Sequence, residues 1–147
     1  MKNLIKLTAS CLYLGYAPVI PGTLASAAAL GLYFLIKDSF YLYTGILIIV
    51  CLWGFLVSGR AENIFREKDS KKIVIDEVAG LLLAFWGLKL NLVLVLTGFF
   101  IFRALDAVKA YPANKIEEIE GSVGIMGDDL IAGLYTNIVL RIVTGFL

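Results

Sequence analysis

The sequence predicts an all-α, membrane-embedded bundle of about five or six helices with a short central helical hairpin, built as one domain over residues 1–147. Three observations carry that expectation. Of the 147 residues 60% are apolar and the mean hydropathy is +0.88, well above the apolar share of soluble domains. Proline and glycine cut the apolar sequence into helix-sized pieces. Apart from the short 37–38 turn, the charged residues gather mainly in two stretches, 60–72 and 103–129, so long apolar segments alternate with wet ones.

Residues 7–36 carry no charge, but Pro18, Pro21 and Gly22 break the run. The N-terminus up to about Tyr16 is therefore expected to be a short interfacial helix, retained rather than removed as a leader. Thr23 is expected to cap a second helix ending at Ile36, where Lys37, Asp38 and Ser39 make a turn. The clearest span follows: residues 39–59 are 21 uncharged positions, close to the roughly 20 that a bilayer needs. Residues 60–72 read as a helical extension followed by a loop.

Residues 78–102 are apolar except for Lys89 and Asn91. Gly87, Lys89 and Asn91 suit a turn, and a lysine at the centre of a single span would be isolated, so two short arms are expected. Charge distribution agrees. With the hairpin, ten basic residues (Lys2, Lys6, Arg60, Arg66, Lys68, Lys71, Lys72, Arg103, Lys109, Lys115) fall on one side of the membrane and three (Lys37, Lys89, Arg141) on the other. The positive-inside rule makes the first side cytoplasmic. The last helix is expected to be capped by Asp128 or Asp129 and to run to Leu147.

Five carboxylates mark the chemistry. Asp76, Glu77, Asp106, Asp128 and Asp129 sit at the edges of apolar segments, all on the side with ten basic residues. A charged group at bilayer depth costs about 2.5–3.5 kcal/mol, and neighbouring carboxylates repel, so their convergence calls for a hard cation such as Mg²⁺ or Mn²⁺. The chain has no histidine and its two cysteines, Cys11 and Cys51, lie apart in apolar sequence. That removes phosphohistidine chemistry, a Ser-His-Asp triad and a zinc site, and places the cysteines as small buried hydrophobes on a reducing side. A net charge of +1 and the lack of a basic tract argue against nucleic acid as a partner.

Around the carboxylates, Arg103 and Asp106 are three residues apart and share a helix face, with Lys109 nearby. They suit a phosphate beside a metal, although a juxtamembrane basic cluster would have the same composition. The PVIPGT segment (18–23) opens a helix whose N–H groups, with the Thr23 and Ser26 hydroxyls, suit a phosphate as well. Glu117, Glu118 and Glu120 read as a solvated face. Carboxylate-held metal with Arg, Lys and hydroxyl groups at a lipid boundary suits phosphoryl transfer to water or an alcohol. Two other classes fit less well: a phosphotransferase of the CDP-alcohol type, whose motif is missing, and a non-enzymatic ion or proton carrier, which would place carboxylates near the midplane.

Four blocks in order, PVIPGT (18–23), IDEVAG (75–80), FRALD (102–106) with Lys109, and GIMGDDLIAG (124–133), closely resemble the phosphatidylglycerophosphatase A family. That resemblance spans nearly the whole chain. It implies Mg²⁺-dependent removal of the terminal phosphate of phosphatidylglycerophosphate, giving phosphatidylglycerol, with the active site on the cytoplasmic side of the bacterial inner membrane. It implies catalytic roles for Glu77, Asp106 and Asp129, metal ligands drawn from Asp76, Glu77, Asp106, Asp128 and Asp129, and substrate contacts from Pro21, Gly22, Thr23, Ser26, Arg103 and Lys109. The chain departs from the family pattern in having Ala110-Tyr111-Pro112 where Pro-x-Pro is usual after the lysine, and Gly121-Ser122 where Gly-Gly is usual. Both changes bear on loop stiffness and leave the charged groups intact.

Overall fold

A computed structural model describes residues 2–68 and 70–145. Among them the chain forms helices α1 (Lys2–Ala9), α2 (Pro21–Ile36), α3 (Phe40–Phe65), α4 (Ile75–Phe85), α5 (Leu92–Val108), the single turn α6 (Ala113–Ile116) and α7 (Ser122–Gly145), with a 3₁₀ turn at Leu14–Tyr16. Strands are absent among the described residues. The helical bundle, its short N-terminal helix and its central hairpin are as expected, and the helix not expected is the single turn α6.

Helix α4 is the centre of the bundle. Nine of its 11 residues are buried, and α2, α3, α5 and α7 all pack around it. A helix that is apolar on every side is stable only when enclosed. Its closest approach is to α7: a Cβ on Gly80 would lie 2.6 Å from the Asp129 carbonyl, and one on Gly133 only 2.2 Å from the Gly80 carbonyl. Both positions must therefore be glycine for the backbones to touch, the small-residue contact common between membrane helices. This contact sets Asp128 and Asp129 beside the first turn of α4.

At 11 residues α4 is about 16 Å long, too short to cross a bilayer, and its last carbonyls need partners inside the protein. Side chains supply them. Tyr43 donates its hydroxyl to the Leu82 carbonyl (2.6 Å), and Asn137 donates its amide to the carbonyls of Leu83 (3.2 Å), Ala84 (3.0 Å) and Trp86 (3.0 Å). Arg141 donates to the Asn137 Oδ1 (2.7 Å) and to the Trp86 carbonyl (3.1 Å). Asn137→Ala is expected to destabilise the fold by about 2 kcal/mol by orphaning these carbonyls, and to leave turnover within about twofold because they lie at the end remote from the carboxylates. Thermal unfolding in detergent reads this; an unchanged midpoint would contradict it.

Among the described residues two helices are long and apolar enough to span, α3 and α7. In α3 only 22% of the most apolar stretch is buried, whereas the core helix of a soluble protein would be mostly covered. Its uncovered residues include Ile49, Leu52 and Leu56, and Leu35, Val93, Phe100 and Ile142 extend the apolar exterior over α2, α5 and α7. So much exposed hydrocarbon exceeds what a water-facing surface carries, and lipid is the medium that suits it.

Local details differ from expectation in three places. The first helix ends at Ala9, and the chain reaches Tyr16 through Cys11, Leu12 and Tyr13, all at positive φ. Helix α2 begins at Pro21, not at a Thr23 cap, because proline's fixed φ and missing N–H suit the first helical position. Helix α7 begins at Ser122, so Asp128 and Asp129 are interior residues and not caps. Gly121 turns the chain at φ +79°, and packing on α6 offsets the low helix propensity of Gly124 and Gly127. The expected end at Leu147 lies outside the described residues. The central turn is as read: Gly87 has φ +71°, and Asn91 caps α5 by accepting from the Leu94 N–H at 2.9 Å.

Candidate active site

The N-terminal ends of α2 and α4, the N-terminal third of α7 and the C-terminal end of α5 converge on a pocket of about 240 Å³. Its wall contains Pro21, Gly22 and Thr23 from α2, Asp76 and Glu77 from α4, Arg103 and Asp106 from α5, Lys109 just beyond it, and Asp128 and Asp129 from α7. All five predicted carboxylates thus meet, as do all the predicted phosphate partners except Ser26. That residue is fully buried behind the wall and donates its hydroxyl to Glu77 Oε2 at 3.1 Å.

Helix geometry explains each placement. Asp76 and Glu77 occupy the first turn of α4, where the helix dipole favours negative charge, and Asp76 Oδ1 accepts from the Glu77 N–H at 2.9 Å. Arg103 and Asp106, one turn apart on α5, pair at 2.7 Å, and the same Nη1 reaches Glu77 Oε2 at 2.7 Å. Lys109, in the left-handed conformation at the end of α5, bonds Asp128 and lies 3.3 Å from Glu117. Burial disfavours its charge, but the Asp128 bond and the charges of Asp128 and Glu117 outweigh that and hold the ammonium firmly protonated. Glu117 is therefore half-buried and paired, unlike the solvated face expected, while Glu118 and Glu120 are exposed.

Glu77 is the opposite case. Burial pushes its carboxyl up to about 7, against the pull of Arg103, with Asp106 adding to the rise. It is also packed tightly: a Cβ on Gly22 would fall 1.7 Å from Glu77 Oε1. The turn that delivers Gly22 is strained, with the β-branched Ile20 at φ 46°. Gly22→Ala is expected to cut turnover by about 10²-fold, because the carboxylate it displaces anchors Arg103 and misplaced groups cost rates of that order. Retained turnover in a folded Gly22→Ala protein would mean that Glu77 has room the structure does not show.

Three carboxylates form a tighter set. One oxygen each from Asp106, Asp128 and Asp129 lies within 4.8 Å of the other two. At an effective dielectric of 20 each such pair repels by about 3–4 kcal/mol. Asp129 is 3% exposed, and its Oδ1 is buried with no hydrogen-bond partner among the described residues. A buried acceptor in that position calls for a cation. The donors are all carboxylate oxygens, which fits a hard divalent ion. Asp76 and Glu77 stand beside this set, engaged with α4's own backbone, Ser26 and Arg103.

Sequence reading did not single out Ile20, Ser70, Lys71 or Ile73, which complete the wall. The signal available was the lysine pair 71–72, close in sequence to Asp76.

A family model described as Phosphatidylglycerophosphatase A matches residues 7–144. A Bacteroides thetaiotaomicron protein provisionally named a phosphatidylinositol-3-phosphatase is 31% identical over 137 residues, covering 87% of this chain and 86% of its own. The Escherichia coli K12 protein named Phosphatidylglycerophosphatase A is 32% identical over 124 residues, covering 82% of this chain and 72% of its own. No solved structure matches the chain. With the motif blocks gathered at one pocket and the family model covering almost the entire sequence, the chain belongs to the phosphatidylglycerophosphatase A family.

Proposed function

We propose that this lipid phosphatase hydrolyses the terminal phosphomonoester of phosphatidylglycerophosphate to phosphatidylglycerol and inorganic phosphate, with Mg²⁺ held by Asp106, Asp128 and Asp129. The observation that carries the reading is the set of three carboxylate oxygens within 4.8 Å beside Arg103 and Lys109, in a polar pocket at one end of an apolar bundle. Bound Mg²⁺ supplies charge neutralisation at the phosphoryl oxygens and acidifies water.

The chain's own groups supply the rest. Arg103 spends Nη1 on Glu77 and Asp106 and keeps its other donors for the charge that grows on the phosphoryl oxygens. Lys109, held charged by Asp128 and Glu117, adds a second cation. Glu77, on the wall but outside the three-oxygen set, takes a proton from the attacking water. The water oxygen bonds to phosphorus, the bond from phosphorus to the glycerol oxygen breaks, the leaving alkoxide takes a proton from solvent water in the open pocket, and Glu77 returns its proton to solvent. Pro21, Gly22 and Thr23 bring the start of α2 to the pocket wall. The apolar exterior holds the acyl chains in the bilayer. Ten of 13 basic residues assigned to the carboxylate side support a cytoplasmic active site in a bacterial inner membrane.

The name of the Bacteroides relative makes phosphatidylinositol 3-phosphate the substrate to test against. Phosphate release from both lipids and from phosphatidic acid, in mixed micelles with Mg²⁺, is expected to be fastest from phosphatidylglycerophosphate. Faster release from phosphatidylinositol 3-phosphate would reassign the substrate, and release from none would end the hydrolase reading.

A further inference from the structure

We propose that Lys71 binds the phosphodiester of the lipid headgroup, and so selects lipids whose phosphomonoester lies beyond a phosphodiester. This rests on the hydrolase reading above, whose substrate carries two phosphates separated by a glycerol. The three-carboxylate set with Arg103 and Lys109 accounts for one. The second is an anion that enters the same pocket and needs a cation of its own.

Three basic residues line that pocket: Lys71, Arg103 and Lys109. Arg103 is paired with Glu77 and Asp106, and Lys109 with Asp128 and Glu117. Lys71 is exposed and takes part in no ion pair or hydrogen bond among the described residues. Its position is nevertheless fixed. The Ile73 N–H donates to the Ser70 carbonyl at 2.8 Å, closing a turn with Lys71 and Lys72 at its tip. Ser70, Ile73 and Val74 are buried, Ser70 donates to Glu67 at 2.8 Å, and the Val74 N–H donates to the Ala9 carbonyl at 2.9 Å. The neighbouring Lys72 is spent elsewhere, 5.6 Å over the Tyr16 ring and 5.5 Å over the Phe65 ring. An anchored turn therefore places at the pocket wall one ammonium without a partner among the described residues, in a pocket whose other cations are engaged. A lysine is suited to a diester, whose single charge offers no bidentate fork for arginine.

Steady-state hydrolysis of phosphatidylglycerophosphate by the wild type, Lys71→Ala and Lys71→Arg tests this. Lys71→Ala is expected to raise KM about tenfold with kcat within about twofold, as the loss of one charge-assisted contact made equally in ground and transition states. Lys71→Arg should restore most of the KM. Inhibition by inorganic phosphate, which reads the monoester subsite alone, should be unchanged. An unaltered KM, a fall in kcat alone, or phosphate inhibition that weakens in step with KM would overturn the assignment. Binding of phosphatidylglycerol, which keeps the diester, to each protein in dodecyl maltoside micelles, which contain no phosphodiester, reads the same contact without turnover, and Lys71→Ala should weaken it about tenfold. That arm decides the role of Lys71 even if the wild type released no phosphate, a result that would sink the hydrolase reading and not this one.

Discussion

Asp129→Asn is expected to lower phosphate release by about 10³-fold while the helices stay folded. Asp129 is the most enclosed residue of the three-carboxylate set, 3% exposed and with its Oδ1 buried without a hydrogen-bond partner among the described residues. An amide presents a donor on one side and no charge, so the set loses a third of its charge toward a divalent ion. Metal-derived stabilisation of a phosphoryl transition state is worth several kcal/mol, and about 4 kcal/mol is about 10³ in rate. The same substitution has an opposite effect on the metal-free protein. It removes two repulsions of about 3–4 kcal/mol each before relaxation and solvent screening, so the unfolding midpoint in EDTA should rise. The increase that Mg²⁺ gives the wild type should be lost. Wild-type turnover in Asp129→Asn, or an undiminished Mg²⁺ effect on its midpoint, would remove Asp129 from the site.

Arg103→Lys is expected to lower kcat by about 10²-fold to 10³-fold, the range for removing one preorganised donor from a developing oxyanion. Lysine keeps the charge but not the planar fork, and here the fork joins Glu77 on α4 to Asp106 on α5 through one nitrogen at 2.7 Å from each. Arg103→Ala should lose at least as much rate and also some stability. Glu77 and Asp106 side chains are only 16% and 15% exposed and would face each other without a cation. Because Arg103 itself is 25% exposed, solvent screens part of that cost, which comes to about 1–2 kcal/mol. If kcat in the lysine variant matched the wild type, Arg103 would be a structural tie between helices and not a phosphate partner.

The architecture was legible where the sequence left one solution. Lys89 and Asn91 in the middle of an apolar run made a single span unfavourable, and the hairpin they imply is the one formed by α4 and α5. That turn also brought Asp76 and Asp106 to the same end, so convergence of the carboxylates followed from topology alone. Less visible were features set by close tertiary contact. The sequence predicts a helix start at Asp128 or Asp129, yet packing against α6 lets α7 run through Gly124 and Gly127 from Ser122. Ser26 reads as a helix-start hydroxyl facing a ligand, but α2 packs so closely on α4 that it bonds Glu77 from behind. The division of five carboxylates into a set of three and a flanking pair depends on side-chain separations that no spacing encodes.

In the proposed mechanism, carboxylates held at a lipid boundary make this lipid phosphatase dependent on a divalent cation. The direct measurement is phosphate release from phosphatidylglycerophosphate by purified protein stripped with EDTA and then titrated with Mg²⁺. No release is expected after stripping, with a saturable return of activity on adding Mg²⁺ that is absent in Asp129→Asn. Full activity in excess EDTA would contradict it.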